Sequence, residues 1–463
     1  MIKLIAKIKE PRVFWPLLVL AGSHVIGLNL AVGLFLACLS GYLKSRNLTV
    51  KNYKILHLIL FFLIVFSISL FVIKNRMPVY FLPFSIIPML TVLLFGSLEI
   101  SLILTLAISV SVASIFSYPL QILLLFLVSG IFSSIFIWGA RKRVTIIHAG
   151  VITGIIQAII MMTTNFYWSG LVLNSFGFIF NGLASSIIVL GVLPIFEYLF
   201  SRVTNISLLE LADFHHPLLQ RLVQEAPGTY HHSLIVGNLS ETACRAVCAN
   251  SLLARIGAYY HDIGKLHQPE YFSENQSMVI SKHDTLAPTM SKLVIMNHVK
   301  EGVELAKKYK LSQPLIDFIQ QHHGNSLVFY FYRRALESLE EDQDVKEEGF
   351  RYPGPKPASK ETAIVLLADS VEAAARALKE PTPSKIEELV HKVINNKFID
   401  GQLDECELTL KDLEKISAVF IRLLCGIYHS RASYPEGIRS ENNHKKSAKE
   451  DSRLSEKDKK VNP

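Results

Sequence analysis

Seven polar side chains in the second half of the chain stand in or beside helical patterns that otherwise read as apolar: His232, His261, Asp262, His298, His322, His323 and Asp369. Five imidazoles and two carboxylates buried without compensation would cost several kcal/mol each. Neutral imidazole nitrogen and carboxylate oxygen are donors that Mn, Fe, Co and Zn accept, so a divalent metal offsets that cost. The adjacent pair His261-Asp262 closes the stretch GAYYHDIGK, in which Lys265 follows one turn later. Successive helical residues point about 100° apart, so at a helix end both can reach one ion from two directions. A carboxylate has two oxygens and can bridge two ions, the arrangement that clamps an in-line displacement at phosphorus.

The elements that must position these groups are helical. Apolar residues recur at helical spacing from Tyr230 to about Ala249, with Thr229 expected as N-cap and His232 in the first turn. Ser251 is expected to cap a helix ending at His261-Asp262. Further helices are expected near 286–308, carrying His298, and from Ser312 and Pro314 to Gln321-His322-His323-Gly324. Asp369 falls in a helix from about Glu361 to Leu378, and two more follow near 384–397 and 409–425. No alternating strand pattern appears, so this half reads as all-α.

Ahead of it lies a different composition. Residues 1–202 hold fourteen Lys/Arg and three Asp/Glu, a net of +11, whereas the whole chain is +8, leaving residues 203–463 at −3. The basicity therefore belongs to membrane flanks and gives no support for a nucleic-acid polymer as partner. Apolar runs near 13–41, 55–73, 79–97, 98–117, 119–139, 145–164 and 175–199 are candidate spans, and GSLE between the third and fourth suggests a tight hairpin. The basic RKR at 141–143 and Arg202 mark cytoplasmic ends. The basic N-terminus conflicts with seven spans and a cytoplasmic C-terminus. The spans lack buried charge, which argues against an ion-coupled transporter. The five cysteines fit no zinc spacing. The organisation expected is a polytopic membrane bundle of about seven helices over 1–202, a linker at 203–228, a soluble all-α domain over 229–435 and a charged, disordered tail over 436–463.

The order His…His-Asp…Asp resembles the HD-domain metal phosphohydrolases, and the extra histidines resemble their binuclear subset. The longer strings EAPGTYHHSLIVGNLSE, GAYYHDIGK, LVIMNHVKEGVELAKKYKL, QQHHG, RYPGPKP, LLADSVEAA and DGQLDECELTLKDL resemble the seven-transmembrane HD family of bacterial cyclic di-AMP phosphodiesterases. That resemblance implies a cell-membrane protein with a cytoplasmic HD domain that cleaves cyclic di-AMP to linear pApA. It implies two divalent ions, Mn or Fe. His232, His261, Asp262 and Asp369 would hold one, and Asp262, His298, His322 and His323 the other, with His231 left out. Lys265 would face the phosphate. Asn275 in YFSENQ, and Arg351 and Tyr352 in RYPGPKP, are candidate substrate contacts. Members of the family usually begin with a further membrane helix and an extracellular domain, so an upstream piece is expected to be missing here. Rival readings are a cyclic di-GMP phosphodiesterase, for which Gly324 stands where that class has Glu, and a receptor that binds nucleotide without turnover.

Overall fold

The computed structural model describes residues 52–115, 119–164, 171–276, 282–338 and 345–428. The first expected span and the charged tail lie outside the described residues. Among the described residues no strand forms; one isolated antiparallel bridge joins Leu327 and Arg351.

The membrane half contains α1 (Asn52–Lys74), α2 (Ile86–Phe95), α3 (Leu98–Ala113), α4 (Pro119–Ile137), α5 (Arg143–Thr163) and α6 (Leu171–Phe200). Among the described residues, three stretches are long and apolar enough to cross a bilayer: Leu120–Ile137, Arg143–Thr163 and Leu173–Phe200. The run expected as a span over 79–97 is broken. A short 3-10 turn, Val79–Phe81, precedes α2, whose ten residues rise only about 15 Å, half of a hydrocarbon core. Pro78, Pro83 and Pro88 remove backbone donors along this stretch. The irregular backbone survives because Asn181 of α6 donates to the carbonyls of Tyr80 (2.7 Å) and Leu82 (2.8 Å), as non-helical backbone at membrane depth requires. The hairpin at GSLE forms. Gly96 ends α2 in the left-handed region (φ 64°), and Ser97 caps α3 by accepting from the Ile100 amide.

Helices α5 and α6 meet through glycines. A Cβ on Gly182 would lie 2.2 Å from the Gly150 carbonyl oxygen, and one on Gly154 would lie 2.8 Å from the Ile179 Cα. Small residues at this spacing let two backbones touch where lipid offers no hydrophobic drive for association.

The soluble half comprises α7 (Asn205–Leu211), α8 (Pro217–Glu225), α9 (Pro227–Ala246), α10 (Ser251–Tyr260), α11 (Pro288–Lys308), α12 (Gln313–Gln321), α13 (Phe329–Glu337), α14 (Lys360–Arg376), α15 (Pro383–Ile399) and α16 (Leu410–Ile427). The stretch expected as a linker folds into α7 and α8. Leu208, Leu218, Leu219 and Leu222 are buried there against Ile256, Tyr260 and Ile263. Two caps also differ from expectation. Helix α9 opens with Pro227 at its first turn and Thr229 inside it, and Asn250, rather than Ser251, caps α10 through the Leu253 amide. At the centre lies α14, where every residue from Thr362 to Asp369 is buried, packed against α9, α15 and α16.

Candidate metal centre

The seven residues come from five places in the fold and converge. His232 is carried by α9, His261 and Asp262 by the end of α10, His298 by α11, His322 and His323 by the end of α12, and Asp369 by α14. Asp262, His298, His322 and His323 form one group whose donor atoms lie within 4.8 Å of one another; His232, His261 and Asp369 form a second. Asp262 lies between them. Its Oδ2 is 3.2 Å from His261 Nε2 and 3.7 Å from His232 Nε2, while its Oδ1 is 3.4 Å from His298 Nε2 and 3.5 Å from His322 Nε2. His231, the neighbour set aside on sequence, is exposed.

Local backbone fixes which nitrogen faces inward. His261, His298 and His322 each donate Nδ1–H to a carbonyl in the preceding turn, at Ala258 (2.6 Å), Ile295 (2.5 Å) and Ile319 (2.9 Å). Their Nε2 lone pairs then point into the site. His232 donates Nδ1–H instead to the buried Glu372 carboxylate, at 2.5 Å. His323 differs again. It is partly exposed, its Nδ1 lies 3.7 Å from Asp369 Oδ2, and its ring stacks on Tyr352 at 4.4 Å between centroids.

Acceptors thus converge without donors to match. His298 and His322 bring Nε2 atoms to 3.2 Å, His261 Nε2 and Asp262 Oδ1 are buried with no hydrogen-bond partner, and His232 Nε2 faces Asp369 Oδ1 at 3.1 Å. Such a set fits a cation. The electrostatics agree. Burial works against charge on Asp262 and Asp369, yet the fields of His261 and Lys265 on the first, and the His232 hydrogen bond on the second, hold both carboxyls below their usual range. Burial lowers His298 to about 4, so its ring is neutral at pH 7. Burial likewise disfavours a charged His232, but its bonds to Asp369 and Glu372 prevail and raise it to about 10, so a metal at this nitrogen must displace a proton.

Glycine sets the approach of the two groups. The turn Ile263–His267 crosses α11 so closely that a Cβ on Gly264 would fall 1.8 Å from the His298 carbonyl oxygen and 2.5 Å from the Gly302 amide nitrogen. Lys265 then places Nζ 2.8 Å from Asp262 Oδ2 and 2.6 Å from Glu274 Oε1.

Of the candidate substrate contacts, Lys265 and Tyr352 adjoin the cluster. Asn275 is engaged elsewhere: it accepts from the Thr229 amide (3.0 Å) and donates to Thr229 Oγ1 (2.9 Å), locking the start of α9. The Arg351 guanidinium is bound by Glu347 (2.6 Å) and Asp400 (2.8 Å). Sequence reasoning missed Glu372 and Glu274. The first had a signal, since it stands three residues after Asp369 on the same helix and so shares its face.

Two family models divide the chain as the fold does. Residues 23–204 match the family described as a 7TM receptor with intracellular HD hydrolase, and residues 229–374 match the HD domain. The two matches together follow the order of a seven-transmembrane half and an HD domain. A Bacillus subtilis (strain 168) protein named cyclic-di-AMP phosphodiesterase PgpH is 39% identical over 435 residues, covering 90% of this chain and 60% of the relative. A protein of the same name from Listeria monocytogenes serotype 1/2a (strain 10403S) is 42% identical over 317 residues, 67% of this chain and 44% of the relative. The chain thus spans about half the length of these seven-transmembrane HD relatives. The crystal structure of the L. monocytogenes PgpH HD domain matches with 47% identity and a TM-score of 0.44, over 46% of this chain and all of that one.

Proposed function

We propose that this chain is a membrane-anchored phosphodiesterase that hydrolyses cyclic di-AMP to linear pApA at a binuclear metal centre. The observation that carries the reading is Asp262, whose two oxygens face two separate sets of imidazoles. His232, His261, Asp262 and Asp369 would hold one ion, and Asp262, His298, His322 and His323 the other. All are nitrogen or oxygen donors, which suits Mn or Fe better than a thiolate-seeking metal. When bound, such ions supply Lewis acidity toward phosphoryl oxygens and make hydroxide available at neutral pH. The protein's own part is positional. Lys265 is held beside Asp262 by Glu274, where its ammonium meets negative charge gathering on the phosphate. Tyr352, stacked on His323, offers an aromatic edge at the same wall.

The substrate reading is supported by the two relatives named above, both called cyclic-di-AMP phosphodiesterases. The cytoplasmic placement of the soluble half is supported by charge. The basic triplet Arg141-Lys142-Arg143 opens α5 on the side where Arg143 pairs with Glu210 of α7, and basic membrane flanks face the cytoplasm.

The test is turnover by the purified full chain in detergent with Mn, its products separated by chromatography. Cyclic di-AMP is expected to give pApA, and cyclic di-GMP to react much more slowly. Comparable rates would refute the adenine preference and leave the centre standing. Tight binding without turnover of either would replace the enzyme by a receptor.

A further inference from the structure

Helix α15 carries Ile386, Val390 and Ile394 buried against the core, and Lys397 extends that stripe by one more turn. An ammonium at a core-facing position ordinarily meets a carboxylate. Here Asp369 and Asp400 act on it through their fields alone. Asp400, close in sequence, is occupied by Arg351 (2.8 Å) and Gln402 (2.7 Å), and Lys397 forms no ion pair among the described residues. Its Nζ donates to a neutral hydroxyl, Ser326 Oγ, at 2.7 Å.

Ser326 places that ammonium in relation to the centre. Its amide donates to the His323 carbonyl (3.0 Å), and its own carbonyl accepts from the amide of Tyr352, the residue stacked on His323. Lys397 therefore stands behind the His323 and Tyr352 wall, whereas Lys265 sits at Asp262 Oδ2. Ser326 thus links the wall of the hydrolytic centre to a second cationic position.

We propose that Lys397, with the Ser326 hydroxyl beside it, receives the second phosphate of a cyclic dinucleotide while the first lies at the Asp262 centre. The inference rests on the phosphodiesterase reading above. It assigns Lys397 to binding, not to chemistry. A helix-end lysine that steadies the terminal carbonyls of α15 is the competing role, and it predicts loss of stability rather than of affinity.

The experiment compares full-length wild type, Lys397→Met and Lys397→Arg on cyclic di-AMP and on bis(p-nitrophenyl) phosphate, which has a single phosphodiester. Lys397→Met is expected to raise KM for cyclic di-AMP about 10- to 100-fold with kcat within about twofold, as loss of a charged hydrogen bond would. The single diester should react unchanged, metal content and Tm should hold, and Lys397→Arg should recover most of the affinity. An unchanged KM, an equal loss on both compounds, or a fall in Tm that accounts for the loss overturns the assignment. If wild type hydrolyses neither compound, the phosphodiesterase reading falls. Calorimetric titration of cyclic di-AMP into chelator-treated wild type and Lys397→Met then decides separately: weaker binding by the variant supports the second phosphate site, and equal affinity or no binding overturns it.

Discussion

Asp262 has one oxygen for each set of imidazoles, so its removal and the removal of a peripheral histidine should have different consequences. Asp262→Ala is expected to abolish activity and empty both positions, read as metal per chain by mass spectrometry. His323→Ala, which removes a donor from one group only, should leave about one ion per chain while turnover falls about 10²-fold or more. Two ions and full turnover in the first variant would sink the bridging role. Unchanged metal content in the second would reduce His323 to a packing residue against Tyr352. Glu372 acts through His232, whose ring it orients and makes more basic. Glu372→Ala should weaken metal binding in that set about 10- to 100-fold, measured by titration against a chelator. The types and order of the seven residues were legible in the sequence because histidines interrupt apolar faces there. Glu372 and Glu274 were not, since a buried glutamate and a solvated one look alike until the helix face is known. Asn275 and Arg351 show the reverse difficulty: polar residues beside a site whose bonding capacity is taken up by the chain itself.

Among elements, the tightest constraint is the crossing of the Ile263–His267 turn over α11. Gly264→Ala would drive its new methyl into the His298 carbonyl, and either the turn or α11 must retreat. The expected cost is about 1–3 kcal/mol of stability, seen as a lower Tm, together with loss of the second ion because His298 moves away from Asp262. Normal metal content in that variant would show that the crossing does not set the spacing of the site. Most soluble helices were legible from 3.6-residue periodicity, including the long ones that carry ligands. Short α7 and α8 were not, because they fall where the membrane half gives way to the soluble one and the stretch reads as a connector, whereas nine-residue α12 is announced by Ser312 and Pro314. In the membrane half, apolar composition concealed the break before α2. Hydropathy records burial but not the prolines and the Asn181 bonds that make an irregular segment tolerable.

Over the whole molecule, the two halves meet where the α2–α3 turn, the α4–α5 turn and the end of α6 face the soluble domain. A cavity of about 220 Å³ lies there, lined by Gly96, Trp138 and Arg202 on one side and by Asn250, Leu253 and Pro314 on the other. Arg143 makes two bonds to Glu210 across the same junction, at 2.7 and 3.0 Å. Both side chains are more than half exposed, so the pair contributes little stability. Arg143→Glu should shift Tm by less than about 3 °C, and Arg143→Glu with Glu210→Arg should recover it in a melting experiment. A larger loss, not recovered by the exchange, would mean that Arg143 serves another partner.

The glycine contact between α5 and α6 has a mechanical consequence. With backbone on backbone and only the small Ser186 side chain beside it, the two helices cannot slide along each other here without being pried apart. They form a single strut. A displacement of its far end therefore moves both helices at once, and Arg143 and Phe200 stand together at the end that faces the soluble domain.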